Sequence, residues 1–293
     1  MMDLEGWIPC RLYGESKVEW CYMGSHRFTD PFFETTMHFE VNTPFNSVFR
    51  FRTPFETLGD WYEKKPGLKP TGFIFHLSRC GSTLITQLLA SLPRNLVLSE
   101  PGLLGTLMHS TTSVEHLRWL VSALGQPRTG QEQHLFIKFD PINILDFPLL
   151  RLAFPDVPVT FVYRDPVEIM LSHLLAPAPF MTRGLMDLGL DPEQMDDEEY
   201  GARILGILTE AVVQHAGSAR LINYTQLPDV VWNGFPANEI EHLKEVATFD
   251  AKHPRKRFAS EKREAPEKVR ALVNRWIMPH YLQLEQLRQP RGG

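Results

Sequence analysis

The segment Phe73-Ile74-Phe75-His76-Leu77-Ser78-Arg79-Cys80-Gly81-Ser82-Thr83-Leu84 sets an arginine, a glycine and two hydroxyls between an apolar run and a helical pattern. A strand that turns tightly into a helix leaves free backbone N–H groups at the helix start, where an anion is favoured. Gly81 allows the backbone to approach that anion closely, Arg79 offers a two-pronged guanidinium, and Ser82 and Thr83 offer hydroxyls. The same residues also read as an ordinary helix start with small side chains. The ATP-type phosphate loop, G-x-x-x-x-G-K-[ST], is not present, because Ser82 stands where its Lys would be and His76 where its first Gly would be.

A second group lies in Val162-Tyr163-Arg164-Asp165-Pro166-Val167-Glu168-Ile169-Met170-Leu171-Ser172. Asp165 is a helix N-cap, Pro166 suits the first helical position, and Glu168 completes a capping-box pattern. Arg164 then sits where a strand ends and a helix begins, the edge at which open α/β sheets bind ligands. Ser172 follows it by eight residues, within two helical turns, so that Arg and Ser can hold one phosphate. The plain alternative is a surface Arg and an ordinary helical Ser.

Together the two groups resemble the sulfotransferase family, which uses 3′-phosphoadenosine 5′-phosphosulfate (PAPS) as co-substrate. The resemblance covers residues 71–265. It implies that Arg79, Cys80, Gly81, Ser82 and Thr83 bind the 5′-phosphosulfate, with Cys80 where the family commonly has Ser, and that Arg164 and Ser172 bind the 3′-phosphate. The spacing is most similar to the tyrosylprotein-type members. From these the resemblance implies Glu100 as catalytic base, Arg79 and Lys138 as cations on the leaving group, and Ser260 as a looser cofactor contact. The implied activity is transfer of the sulfuryl group to the hydroxyl of a small molecule, glycan or peptide, or to a phenol, without a metal. A base of this kind works best with a pKa raised by partial burial. His76 is a rival base. Asp140 and Asp165 read either as metal ligands or as turn and cap residues. Two other readings stand beside this one. The strand Phe136-Ile137-Lys138-Phe139-Asp140 ends like a Walker-B element, which suits a kinase-like phosphotransferase using Mg-ATP. A non-catalytic nucleotide-binding protein is the other.

The elements that must position these residues follow from periodicity. Strands are expected at Gly72–Leu77, Asn95–Ser99, Leu135–Phe139, Val157–Tyr163 and 220–224. Helices are expected at Ser82–Leu92, Val114–Leu124, Ile142–Phe154, Pro166–Leu175, 199–215 and 266–288. Such alternation predicts an α/β fold, a P-loop-type parallel sheet flanked by helices. Residues 71–293 form that domain. Residues 1–70 read as an N-terminal extension packed on it, crowded with aromatics (Phe28, Phe32, Phe33, Phe39, Phe45, Phe49, Phe51, Phe55) and interrupted by prolines. Within it Val48-Phe49-Arg50-Phe51-Arg52 alternates as a strand does.

Charge separates along the chain. The net charge of −5 argues against nucleic-acid binding through bulk charge. Residues 186–199 carry seven acids and no base, whereas 252–275 carry nine bases against three acids. The basic loop, with Arg257 and a stacking Phe258, is expected to close on the 3′-phosphate and adenine, or else to be a solvated face. Residues 176–198 form a candidate lid over the acceptor. No membrane-spanning run or signal-peptide pattern is present, and three unpaired-looking cysteines suit a reducing compartment, by default the cytoplasm.

Overall fold

The computed structural model describes residues 3–257 and 264–288. The N-terminal region contains β1 (Trp7–Tyr13), β2 (Lys17–Tyr22), α1 (Phe33–Val41), α2 (Pro44–Phe49), β3 (Phe51–Pro54) and α3 (Thr57–Lys64). β1, β2 and β3 form a three-stranded antiparallel sheet in that order. The alternation over residues 48–52 is only half strand. Val48 and Phe49 end α2, because Pro44 fits its first turn and the Thr43 hydroxyl caps the Asn46 N–H. The strand begins at Phe51.

The following elements are β4 (Pro70–His76), α4 (Ser82–Ala90), β5 (Asn95–Ser99), α5 (Gly102–Ser110), α6 (Val114–Leu124), β6 (His134–Lys138), α7 (Phe147–Ala153), β7 (Val159–Tyr163), α8 (Pro166–Leu175), α9 (Asp197–His215) and β8 (Arg220–Asn223). After them come α10 (Asp229–Trp232), α11 (Ala237–Val246), β9 (Phe249–Asp250), β10 (His253–Arg257), α12 (Glu267–Trp276) and α13 (Met278–Arg288). The fold is α/β, as expected. Its central sheet has the order β5-β6-β4-β7-β8, all parallel. β4 is the first of these strands in the chain and lies in the middle. The chain moves to one side of it for β5 and β6, then to the other for β7 and β8. The order therefore reverses at the C-terminal end of β4, and such a switch point leaves a crevice for a ligand.

Two expected helices are divided. Residues 141–146 form a 3₁₀ turn before α7, because the Asp140 carboxylate accepts from the Ile142 N–H at 3.2 Å and sets a separate start. The C-terminal helix breaks at Ile277 between α12 and α13. Pro279 there has no N–H to give and its ring would collide with the preceding turn.

One buried apolar cluster joins Ile8, Val18, Trp20 and Phe33 of the N-terminal region to Phe73, Phe75 and Leu98 of the central sheet. Polar ties add to it. The Arg27 guanidinium donates to the carbonyls of Ala90, Leu92 and Asn95 at 3.0–3.3 Å, satisfying groups left over where α4 ends.

Candidate functional site

The loop after β4 has an unusual backbone. Ser78, Arg79 and Gly81 all have positive φ, at 59°, 50° and 81°. Non-glycine residues in this region carry strain, and such strain concentrates at ligand-binding turns. The result is a concave run of amides. Among the described residues, nothing accepts from the backbone N–H groups of residues 79–83, whereas the neighbouring Leu77, Ser78 and Leu84 amides are bonded. Five free donors at the start of α4 are a set from which an anion can accept. Gly81 is required there by conformation and by space, since a Cβ would stand 2.9 Å from Leu227 Cδ1 and Tyr224 Cδ2.

A cavity of about 590 Å³ opens over this loop, within the range of about 300–1,000 Å³ that small-ligand pockets occupy. Arg79, Cys80, Gly81, Ser82, Thr83, Glu100, Arg164 and Ser172 all line it. Residues 93 positions apart in sequence thus share one wall.

Each is positioned by its strand end. β7 delivers Arg164, whose guanidinium stacks on Tyr224 at 4.2 Å from the ring centre, donates to the Arg79 carbonyl at 3.4 Å and pairs with Glu168. Glu168 therefore serves Arg164 and does not return to cap Asp165 as its capping-box pattern predicts. Asp165 caps α8 alone, accepting from the Val167 and Glu168 amides at 2.8 and 3.2 Å. Arg79 donates to the Ala176 carbonyl at 2.5 Å, at the end of α8. Cys80 is buried and its thiol donates to the Val162 carbonyl at 3.1 Å.

β5 and β6 deliver the other half. Ser99 pairs with Lys138 in register, and the Glu100 amide donates to the Lys138 carbonyl at 2.7 Å. Glu100 itself has φ 57°. Lys138 is 0 % exposed, with Nζ at 2.8 Å from Glu100 Oε1 and 3.3 Å from Thr83 Oγ1. His76 Nε2 meets the same Oε1 at 3.1 Å. Glu100 Oε2 has no partner among the described residues. Sequence reasoning expects a base raised by burial, and the structure corrects this. Burial does push the Glu100 carboxyl up, but the Lys138 ammonium and the His76 bond outweigh it and hold the pKa at about 2. Asp140, beside it in the cavity wall, goes the other way. Burial and the Glu100 charge raise its pKa.

The cavity is therefore asymmetric. Arg164, paired with Glu168, and the ring of Tyr224 stand on the β7–β8 side, while the carboxyl groups of Glu100 and Asp140, with the Lys138 ammonium against Glu100, stand on the β5–β6 side.

Several wall residues carry no motif. Phe32 comes from the N-terminal region, with Lys138 Nζ 5.0 Å and Lys252 Nζ 6.0 Å from its ring centre. Tyr224, Leu227, Phe249 and Lys252 also line the cavity. Only proximity in the fold reveals them, apart from Lys252, which opens the basic stretch. Of the candidate lid, residues 177–180 line the wall. Of the acids that follow, Asp191 caps a short 3₁₀ turn, Asp196 caps α9, and Asp196 and Glu198 pair with Lys268 at 2.6 and 2.5 Å. Arg257 ends β10, exposed, and is not among the lining residues. Ser260 and Phe258 lie outside the described residues. Among the described residues no group of three or more His, Cys, Asp or Glu is placed to hold a metal, and no helix is long and apolar enough to cross a membrane.

No protein-family model matches the chain. No curated protein matches it either. Among solved structures it is similar to the crystal structure of a sulfotransferase from Alicyclobacillus acidocaldarius, at 14% identity and a TM-score of 0.44, over 75% of this chain and 96% of that one.

Proposed function

We propose that the protein is a sulfotransferase that uses PAPS as donor and a hydroxyl or phenol as acceptor. The observation that supports this reading is the convergence on one cavity of the free amides of residues 79–83, the Arg164–Ser172 pair, and Glu100 held against Lys138. On this reading the amides, Arg79, Ser82 and Thr83 hold the 5′-phosphosulfate. Arg164 and Ser172 hold the 3′-phosphate, and Tyr224 and Leu227 flank the nucleoside. The acceptor enters on the β5–β6 side, between Glu100, Asp140 and the Phe32 ring.

The donor supplies an already activated sulfuryl group, so the protein's task is alignment and charge management. The acceptor oxygen forms a bond to sulfur as the bond from sulfur to the 5′-phosphate oxygen breaks. Glu100 Oε2, the oxygen without a partner, takes the acceptor's proton. Arg79, in the cavity wall, holds the negative charge that grows on the leaving oxygen, and Lys138, buried behind Glu100 and Thr83, adds its charge from beneath the loop. A carboxylate with a pKa of about 2 is a weak base. It serves by being ionised and aimed at the acceptor, and it takes the proton as the acceptor oxygen, bonding to sulfur, becomes acidic.

Calorimetric titration tests the reading. Micromolar binding of 3′-phosphoadenosine 5′-phosphate (PAP) without magnesium is the expected result. Binding of Mg-ATP but not of PAP would overturn it in favour of a phosphotransferase. Screening acceptors with labelled PAPS then separates an enzyme from a binding protein.

A further inference from the structure

His76 is 6 % exposed, and both of its ring nitrogens are committed. Nδ1 accepts from the Ser78 amide at 3.0 Å, and Nε2 lies 3.1 Å from Glu100 Oε1. An amide can only donate, so Nδ1 carries a lone pair and the ring proton sits on Nε2, pointing at the carboxylate. Burial disfavours a charge on this ring, while Cys80 and Glu100 favour one and raise its affinity for a second proton. That second proton would have to sit on Nδ1, facing the Ser78 N–H. Neither nitrogen is free to take a proton from an acceptor, which removes His76 as a rival base.

We propose that His76 is a positioning residue that joins the anion loop to Glu100 (this rests on the sulfotransferase reading). Its two bonds act on the two halves of the site. The Ser78 bond supports the left-handed turn at Ser78 and Arg79, which directs the amides of residues 79–83 into the cavity. The Glu100 bond and the Lys138 ion pair both fall on Oε1. Two donors on one oxygen stop the carboxylate from rotating and leave Oε2 facing the acceptor side. Lys138 alone, a single donor on one oxygen, would fix a distance but not an orientation.

Two near-isosteric variants separate the two bonds. Asn can present its oxygen near Nδ1, keeping the Ser78 bond and losing the Glu100 donor. Gln can present its amide near Nε2, keeping the Glu100 donor and losing the Ser78 bond. Two measurements need no knowledge of the acceptor: PAP affinity by calorimetry, and hydrolysis of PAPS with water as acceptor. His76→Asn is expected to slow hydrolysis by roughly 100-fold with PAP affinity unchanged. His76→Gln is expected to weaken PAP by roughly tenfold with the hydrolysis rate at saturating PAPS close to wild type. Parallel losses in both variants would show a structural role, and no loss in either would show none. Both results overturn the proposal. Failure of the wild type to bind PAP would instead bring down the functional reading on which it stands.

Discussion

Lys138 Nζ lies 2.8 Å from Glu100 Oε1, on a lysine that is 0 % exposed. A buried ammonium persists only beside an anion, and a carboxylate beside it stays ionised over the whole working pH range. The pair therefore fixes charge at the strand ends whether or not a ligand is bound. Glu100→Gln keeps the shape of this group and removes its proton affinity. Turnover is expected to fall by about 10²–10⁴-fold while PAP affinity stays nearly unchanged. Labelled-sulfate transfer and calorimetry measure the two. A large loss of affinity would make Glu100 a ligand contact.

Lys138→Met tests the same pair from the other side. It leaves a largely buried carboxylate without its main partner, and a loss of about 3–5 kcal/mol is expected at pH 7. The sign with pH is fixed. The Glu100 pKa is depressed in the fold to about 2, so its contribution is present above the unfolded carboxyl value and is lost as pH falls toward 2. The gap in urea midpoint between wild type and variant should therefore narrow from pH 7 to pH 3. A gap independent of pH would assign the loss to packing.

Arg164 combines a ring stack with a place at the end of β7. Arg164→Ala is expected to weaken PAP by roughly 10–100-fold and to weaken adenosine 5′-phosphosulfate, which has no 3′-phosphate, far less. Equal weakening of both would show that Arg164 does not read the 3′-phosphate.

Gly81→Ala meets both a left-handed backbone, φ 81°, and contacts of 2.9 Å with Tyr224 and Leu227. A loss of about 1–2 kcal/mol from conformation alone is expected, together with weaker PAP binding as the loop shifts. Thermal melting and calorimetry check the two. Unchanged PAP affinity would argue that the loop amides do not hold the anion.

Much of this site was legible because strand ends carry local signals. Arg164, Asp165 and Pro166 announce a strand-to-helix corner by type and order alone, and α8 begins at Pro166 as its cap requires. Val114–Leu124 is bounded as its apolar stripe predicts. What escaped depends on long-range contact. Phe32 belongs to a segment with no periodic pattern, and its place beside Lys138 arises from tertiary packing. The depressed Glu100 carboxyl was not legible either. Its cause is a residue 38 positions away that becomes a neighbour only when β5 and β6 pair in register. Helices α1, α2 and α3 were hidden because the aromatic, Thr and Val residues there imitate strand composition and the prolines between them break any longer helical pattern.

The place of β4 in the middle of the sheet makes the loop after it a shared part. Thr83, where that loop enters α4, accepts from Lys138 on the β5–β6 side, and the Arg79 carbonyl accepts from Arg164 on the β7–β8 side. A change at either pair of strand ends therefore reaches both ends of the cavity through one short stretch of backbone.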